Sequence, residues 1–170
     1  MNVKNNIKIL DPCCGGKMFW FDKNNPNVLF GDIRKEEHIL CDGRTLSISP
    51  DMLMDFTKLT FPDNRFKLVV FDPPHLNSLG ENSWMAKKYG VLGDDWQNVI
   101  RDGFKECWRV LDKDGVLIFK WSDVDIKVAD VLKLIEQKPL FGQRTMINNR
   151  TIWLCFMKII NTPALEQGRI

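Results

Sequence analysis

KLVVFDPPH, residues 67–75, decides how the rest of the chain is read. Leu68, Val69, Val70 and Phe71 form an unbroken apolar run of β-branched and aromatic types, the pattern of a strand buried on both faces of a sheet. Asp72-Pro73-Pro74-His75 then ends it. Two prolines remove two backbone donors and fix φ twice, so the ladder cannot continue and the chain leaves in a rigid, extended turn. A carboxylate, the turn carbonyls and an aromatic ring are thereby expected at the carboxyl end of a buried strand, where open α/β sheets bind ligands.

Upstream, Ile7, Ile9 and Leu10 lead into Asp11-Pro12-Cys13-Cys14-Gly15-Gly16, a strand running into a glycine turn. A helix start is expected over residues 17–21, so that backbone amides face a bound molecule. The glycines are too few for a dinucleotide fingerprint, and no GK[ST] follows for a phosphate-cradling loop. Val28-Leu29-Phe30-Gly31 is a second strand, closed by Asp32 and Ile33; an acid about 20 residues after a glycine turn is suitably placed for ribose hydroxyls. Residues 38–50 carry an Asp42-Gly43 turn between two alternating runs, a hairpin where a crossover helix would be usual. Residues 51–56 read as a third strand ending in Asp55-Phe56. Four strands thus end in acids: Asp11, Asp32, Asp55 and Asp72. Like charges are costly to gather at one sheet edge unless something binds there.

Downstream, residues 76–93 lack periodicity and hold Trp84, Lys87, Lys88 and Tyr89. Long loops at the carboxyl edge of a sheet carry function, and aromatics interleaved with lysines suit base stacking and phosphate contact. From Asp94 the apolar positions Trp96, Val99, Ile100, Phe104, Cys107, Trp108 and Leu111 recur at helical spacing, with Asp114-Gly115 as the exit. Residues 116–121 form another buried strand. Ser122 and Asp125 resemble a capping box for a helix carrying Val128, Val131, Leu132 and Ile135. Residues 141–147 and 151–159 are two antiparallel strands joined by Asn148-Asn149, and residues 161–170 form a frayed tail.

Composition sets the frame. The 170 residues are 44% hydrophobic and 27% charged, an ordinary globular balance that suits one domain over residues 1–170. A net charge of +2 excludes an overall polycation, so any basic surface must be local. No stretch approaches the roughly 18 apolar residues of a membrane span and no signal-peptide core is visible, which leads us to expect a cytoplasmic protein that does not engage membranes. Cys13, Cys14, Cys41, Cys107 and Cys155 are odd in number and contain no CxxC pair, against a disulfide framework or a paired zinc site; no metal is expected. Cys107 and Cys155 sit at core-patterned positions.

Over residues 7–159 this order of landmarks resembles the class I S-adenosylmethionine-dependent methyltransferases of the amino-methylating group, whose signature is [DNS]-P-P-[YFWH]. The resemblance implies a Rossmann-like α/β three-layer sandwich, with a mostly parallel sheet of about seven strands and an antiparallel last strand. It makes S-adenosylmethionine the cofactor and Asp11, Pro12, Cys13 and Gly15 its methionine loop. Asp32 would serve the ribose, Ile33 beside it would also bind the cofactor, and Asp55 with Phe56 would receive the adenine. Asp72, Pro73, Pro74 and His75 would be catalytic, acting on the exocyclic amine of a nucleobase, adenine first, in DNA or RNA. Trp84, Lys87, Lys88 and Tyr89 would meet that substrate. Two positions depart from the pattern: Lys17 stands where a second loop glycine is usual, and His75 where tyrosine, phenylalanine or tryptophan is. No target-recognition domain occupies any gap, so a second copy or another protein would supply specificity. Methylation of a protein amide or small molecule, or a non-catalytic cofactor-fold protein that binds a partner, are the alternatives.

Overall fold

The computed structural model describes residues 7–40, 42–77, 83–145 and 150–159. Seven strands form one sheet. In chain order they are β1 (Ile9–Asp11), β2 (Val28–Asp32), β5 (Met52–Leu53), β6 (Phe66–Phe71), β7 (Leu111–Ser122), β8 (Phe141–Thr145) and β9 (Thr151–Met157). A separate hairpin, β3 (Glu36–Ile39) with β4 (Thr45–Ile48), stands between β2 and β5, and the helices are α1 (Trp84–Tyr89), α2 (Trp96–Val110) and α3 (Val128–Leu132). The spatial order is β5-β2-β1-β6-β7-β9-β8, parallel from β5 to β7, with β9 antiparallel to both of its neighbours. Strand order reverses between β1 and β6, which makes their carboxyl ends the topological switch point.

Alternation along the strands sends two sets of side chains to two faces. Leu10, Leu29, Val69, Phe71, Leu117, Phe119, Leu154 and Phe156 join α2 and α3 in the larger core. Phe104 of α2 lies edge-on to Phe156 at 5.1 Å and to Phe119 at 6.1 Å. Burying such rings contributes on the order of 2 kcal/mol each. The opposite face is covered differently. Val28, Phe30 and Cys14 form a small cluster with Ile9 and Trp20, so the layer over it is the non-helical crossover, residues 12–27. Trp20 meets Phe30 at 5.2 Å, and Phe19 meets Trp153 at 5.3 Å.

Several local expectations need correction. Residues 17–21 are turns, not a helix: Lys17 has φ 53° and donates its amide to the Cys14 carbonyl at 2.8 Å, closing a tight turn that a helix cannot continue. The expected strand over residues 51–56 is Met52–Leu53 alone, because Asp55 turns the chain by accepting from the Thr57 amide and hydroxyl at 2.9 and 2.7 Å. Helix α2 runs into β7 without a loop, and Asp114-Gly115 lies inside that strand. Ser122 is its last residue; α3 is opened instead by Asp123, whose carboxylate accepts from the Val128 amide at 2.7 Å, while Asp125 accepts from the Asn77 amide at 3.1 Å. Residues 76–93 include the short helix α1. The 38–50 hairpin forms as expected, with Gly43 at φ 80°, and β8 pairs antiparallel to β9. Their Asn148-Asn149 turn, Cys41 and residues 161–170 lie outside the described residues. Cys107 and Cys155 are buried in agreement with their pattern. No helix among the described residues is long and apolar enough to cross a membrane, and they contain no cluster of His, Cys, Asp and Glu that would hold a metal.

Candidate functional site

A cavity of about 440 Å³ opens at the carboxyl ends of β1, β2, β6 and β7. Its floor is the β1 loop, residues 13–16. Asp11 anchors that loop from below: fully buried, it accepts from the Trp20 indole at 2.8 Å and the Cys13 amide at 3.4 Å. Burial pushes its carboxyl up to about 7, against the indole's opposing effect, with Asp72 and Asp32 adding to the rise. Gly15, at φ 48°, donates its amide to Asp32 Oδ2 at 2.9 Å, and the Cys14 amide reaches the Gly31 carbonyl at 2.7 Å. Lys17 holds the left-handed conformation that glycine adopts without strain, which accounts physically for a glycine being usual there.

The Asp32 carboxylate also accepts from the Arg34 amide at 2.9 Å and from Arg34 Nε at 3.3 Å, both at Oδ1. A carboxylate takes about four donors. Three are present, and the remaining capacity is on Oδ2. Arg34 continues through Nη1 to the Lys87 carbonyl at 2.9 Å, tying α1 to the end of β2. Ile33, 68% exposed, and Phe56 supply apolar wall; Phe56 packs on Phe71 at 5.3 Å, under Gly103 of α2, where any side chain would collide with the Phe56 ring and crowd Phe71.

At the end of β6, Asp72 Oδ2 accepts from Lys120 Nζ of β7 at 2.6 Å. Burial raises the Asp72 carboxyl above its ordinary value, and Lys120 opposes that rise by charge and hydrogen bond. His75 lies beside Tyr89 at 5.6 Å and Trp121 at 6.4 Å. Burial first, and Lys120 second, lower its pKa to about 4, so its ring is neutral at physiological pH. The chain after the motif folds back, with the Leu92 amide on the Leu76 carbonyl at 3.0 Å, and Gly90, at φ 75°, passes against Pro74.

The structure therefore brings Cys13, Gly15, Asp32, Ile33, Phe56, Asp72, Pro73, Pro74, His75, Lys88 and Tyr89 to one cavity. Asp11 and Pro12 lie behind its floor, and Asp55 faces its own turn. Trp84 faces a neighbouring cavity, and Lys87 offers α1's carbonyl to Arg34. Sequence reasoning passed over Arg34 and Lys120. Lys120 carries a readable signal: in VLIFKW it is the lone charge in a buried strand.

The cavity suits S-adenosylmethionine on its donor set. Asp32 retains acceptor capacity for a ribose hydroxyl, Ile33 and Phe56 offer apolar surface to an adenine, and the small residues of the β1 loop leave room for the methionine part.

No protein-family model and no curated protein sequence matches the chain. Solved structures do resemble it. A protein from Pyrococcus horikoshii OT3 superposes with TM-score 0.58 at 16% identity, over 89% of this chain and 81% of that one. A TehB-like S-adenosylmethionine-dependent methyltransferase from Corynebacterium glutamicum gives 0.53 at 16% identity, over 90% and 80%. A geranyl diphosphate methyltransferase, solved with that substrate and sinefungin, gives 0.53 at 7% identity, over 91% and 71%. At these identities the likeness is one of fold: the sheet is that of the Rossmann-like class I methyltransferases.

Proposed function

We propose that the chain is an S-adenosylmethionine-dependent methyltransferase acting on the exocyclic amine of a nucleobase, adenine first, in DNA or RNA. One observation carries the reading: the Asp72 carboxylate, paired with Lys120, lines the same cavity as Asp32 and the β1 loop. When bound, S-adenosylmethionine supplies an electrophilic methyl on a positively charged sulfur.

An aromatic amine is a weak nucleophile because its lone pair is delocalised into the ring. Asp72 Oδ2 is held by Lys120, which leaves Oδ1 to accept an N–H and to stabilise the positive charge that grows on nitrogen. Pro73 and Pro74 fix the turn, so this acceptor and the neighbouring carbonyls keep their orientation. Lys120 opposes the rise that burial imposes on the Asp72 carboxyl. His75, neutral and tilted by 53° to Tyr89 and 71° to Trp121, is the ring that would stack on the planar target. A base in a duplex must be flipped out to reach this cavity, at a cost of about a few kcal/mol that a single strand avoids.

A second reading, methylation of a small molecule, is favoured by the fold likeness to a methyltransferase of geranyl diphosphate. Incubation with radiolabelled S-adenosylmethionine and, separately, duplex DNA, single-stranded DNA, total RNA and small amines separates the two. Label in one nucleic acid, absent with Asp72→Ala, is the expected outcome; label only in a small amine establishes the second reading. Asp32→Ala is expected to weaken cofactor binding by roughly tenfold or more, the loss of a charged hydrogen-bond partner, whereas Asp72→Ala retains it. Equal loss in both, measured calorimetrically, would undo this division of roles.

A further inference from the structure

Beside the first cavity lies a second, of about 570 Å³, bounded by the β1 loop, the β3–β4 hairpin and α1. Lys17 and Lys23 line it from the loop, Arg44 from the hairpin, and Lys88 with Trp84 from the helix. Asp51 is the sole acid among the described lining residues, and its Oδ2 already accepts from the Phe30 amide at 3.0 Å. Arg44 is paired with Asp42, its Nε donating to Oδ2 at 2.7 Å, so the walls carry three lysines and a paired arginine against one acid that is itself hydrogen-bonded. The local basic surface that composition could not announce is this trough. The two cavities share Gly15, Gly16, Met18 and Lys88, so they meet along the β1 loop and α1.

We propose that the trough holds the phosphate backbone of single-stranded nucleic acid next to the nucleotide whose base enters the Asp72 cavity, an inference that rests on the nucleobase reading above. Charge supplies the attraction: lysines set along a groove track successive phosphates and release their counterions. Trp84 adds a stacking surface at the rim. It is 49% exposed, and Lys88 Nζ lies 5.7 Å from its ring, so a cation and an aromatic face stand together, the pairing that single-strand binders use. The concave shape favours a chain over a flat anionic lipid surface. The hairpin gives the trough its far wall, in the place where a crossover helix would be usual, and so accounts for a feature that the cofactor cavity does not use.

The test is fluorescence anisotropy of a labelled single-stranded oligonucleotide with the full chain over a range of salt. Lys23 lines the trough but not the Asp72 cavity, so Lys23→Glu tests the trough alone. It is expected to weaken binding by roughly tenfold whatever the sequence; its neutral counterpart Lys23→Gln is expected to lower the slope of log affinity against log salt by about one. Lys133→Glu, just after α3, makes the same charge change elsewhere and is expected to match wild type within about twofold. Cofactor affinity and thermal melting of each variant establish that the fold is intact. Wild-type binding that the trough variants leave unchanged, or that Lys133→Glu weakens equally, overturns the trough while sparing the nucleobase reading. A wild-type chain that binds no oligonucleotide yet methylates a small amine overturns both. Trough-dependent binding to vesicles containing phosphatidylserine, with none to the oligonucleotide, replaces nucleic acid by a lipid surface.

Discussion

Two strands of the sheet run into the same dipeptide, Asp11-Pro12 at the end of β1 and Asp72-Pro73 just after β6, yet the two carboxylates are used in opposite ways. Asp11 is sealed beneath the loop, with two N–H donors and no cation, and its carboxyl is pushed up to about 7. Asp72 borders the cavity with an ammonium 2.6 Å away. Burial acts on both; Lys120 makes the difference. A strand-terminating acid is therefore defined by what faces it from the adjacent strand. Here β7 presents Lys120 two positions before Ser122, beside β6.

The sharpest break of this comparison is removal of each charge. Asp72→Asn is expected to lower transfer by at least roughly 10²-fold, whereas Asp11→Asn leaves the rate within a few-fold; steady-state rates on the same substrate decide, and equal losses would erase the distinction. Next comes the cation. Lys120→Met leaves burial to act on Asp72 unopposed, so its carboxyl rises further. If transfer needs ionised Asp72, the acid limb of the pH–rate profile moves to higher pH, with activity at neutral pH down by roughly 10-fold and partly recovered in base. An unmoved acid limb would show that Lys120 does not set the ionisation of Asp72.

A smaller effect concerns stability. The folded pKa of Asp11, about 7, exceeds its ordinary value of 3.8. Below 3.8 both the folded and unfolded chains hold the proton; as pH rises the unfolded chain loses it first. The contribution of Asp11 is therefore fully present below 3.8 and gone above about 7. Asp11→Asn is expected to shrink the stability difference between pH 5 and pH 8, by something on the order of a few kcal/mol, in urea melts. The smallest effect is that of Trp20→Phe. It removes the indole donor and costs about 1–2 kcal/mol, and it lifts the Asp11 carboxyl further, so the pH dependence steepens where Asp11→Asn flattens it.

Much of this was legible in sequence because it lives on the backbone. The apolar run 68–71 and its two prolines fixed the central strand, and the acids after β1, β2 and β6 converge because parallel strands carry their carboxyl ends to one edge. Asp42-Gly43 marked the hairpin. What escaped depended on side-chain direction. Asp55 has the same strand-end appearance as Asp32, but Thr57 lies close enough to take both contacts. The expected helix after Gly16 failed because Trp20 reaches back to Asp11 and Phe19 across to Trp153, contacts that a helix of the same residues would break. Lys120 was visible as a lone charge, but its partner lies 48 positions away.

The crossover over residues 12–27 shapes the binding floor and also serves as the sheet's cover on that face. Breathing of that face and occupancy of the site are consequently one equilibrium. A molecule resting on Gly15 must hold down Cys14, Trp20 and the strand beneath them, and local opening of β2 becomes rarer in proportion to ligand saturation. Amide hydrogen exchange at Val28–Phe30 is expected to slow on adding cofactor, while exchange within α2, behind the sheet, stays as it was.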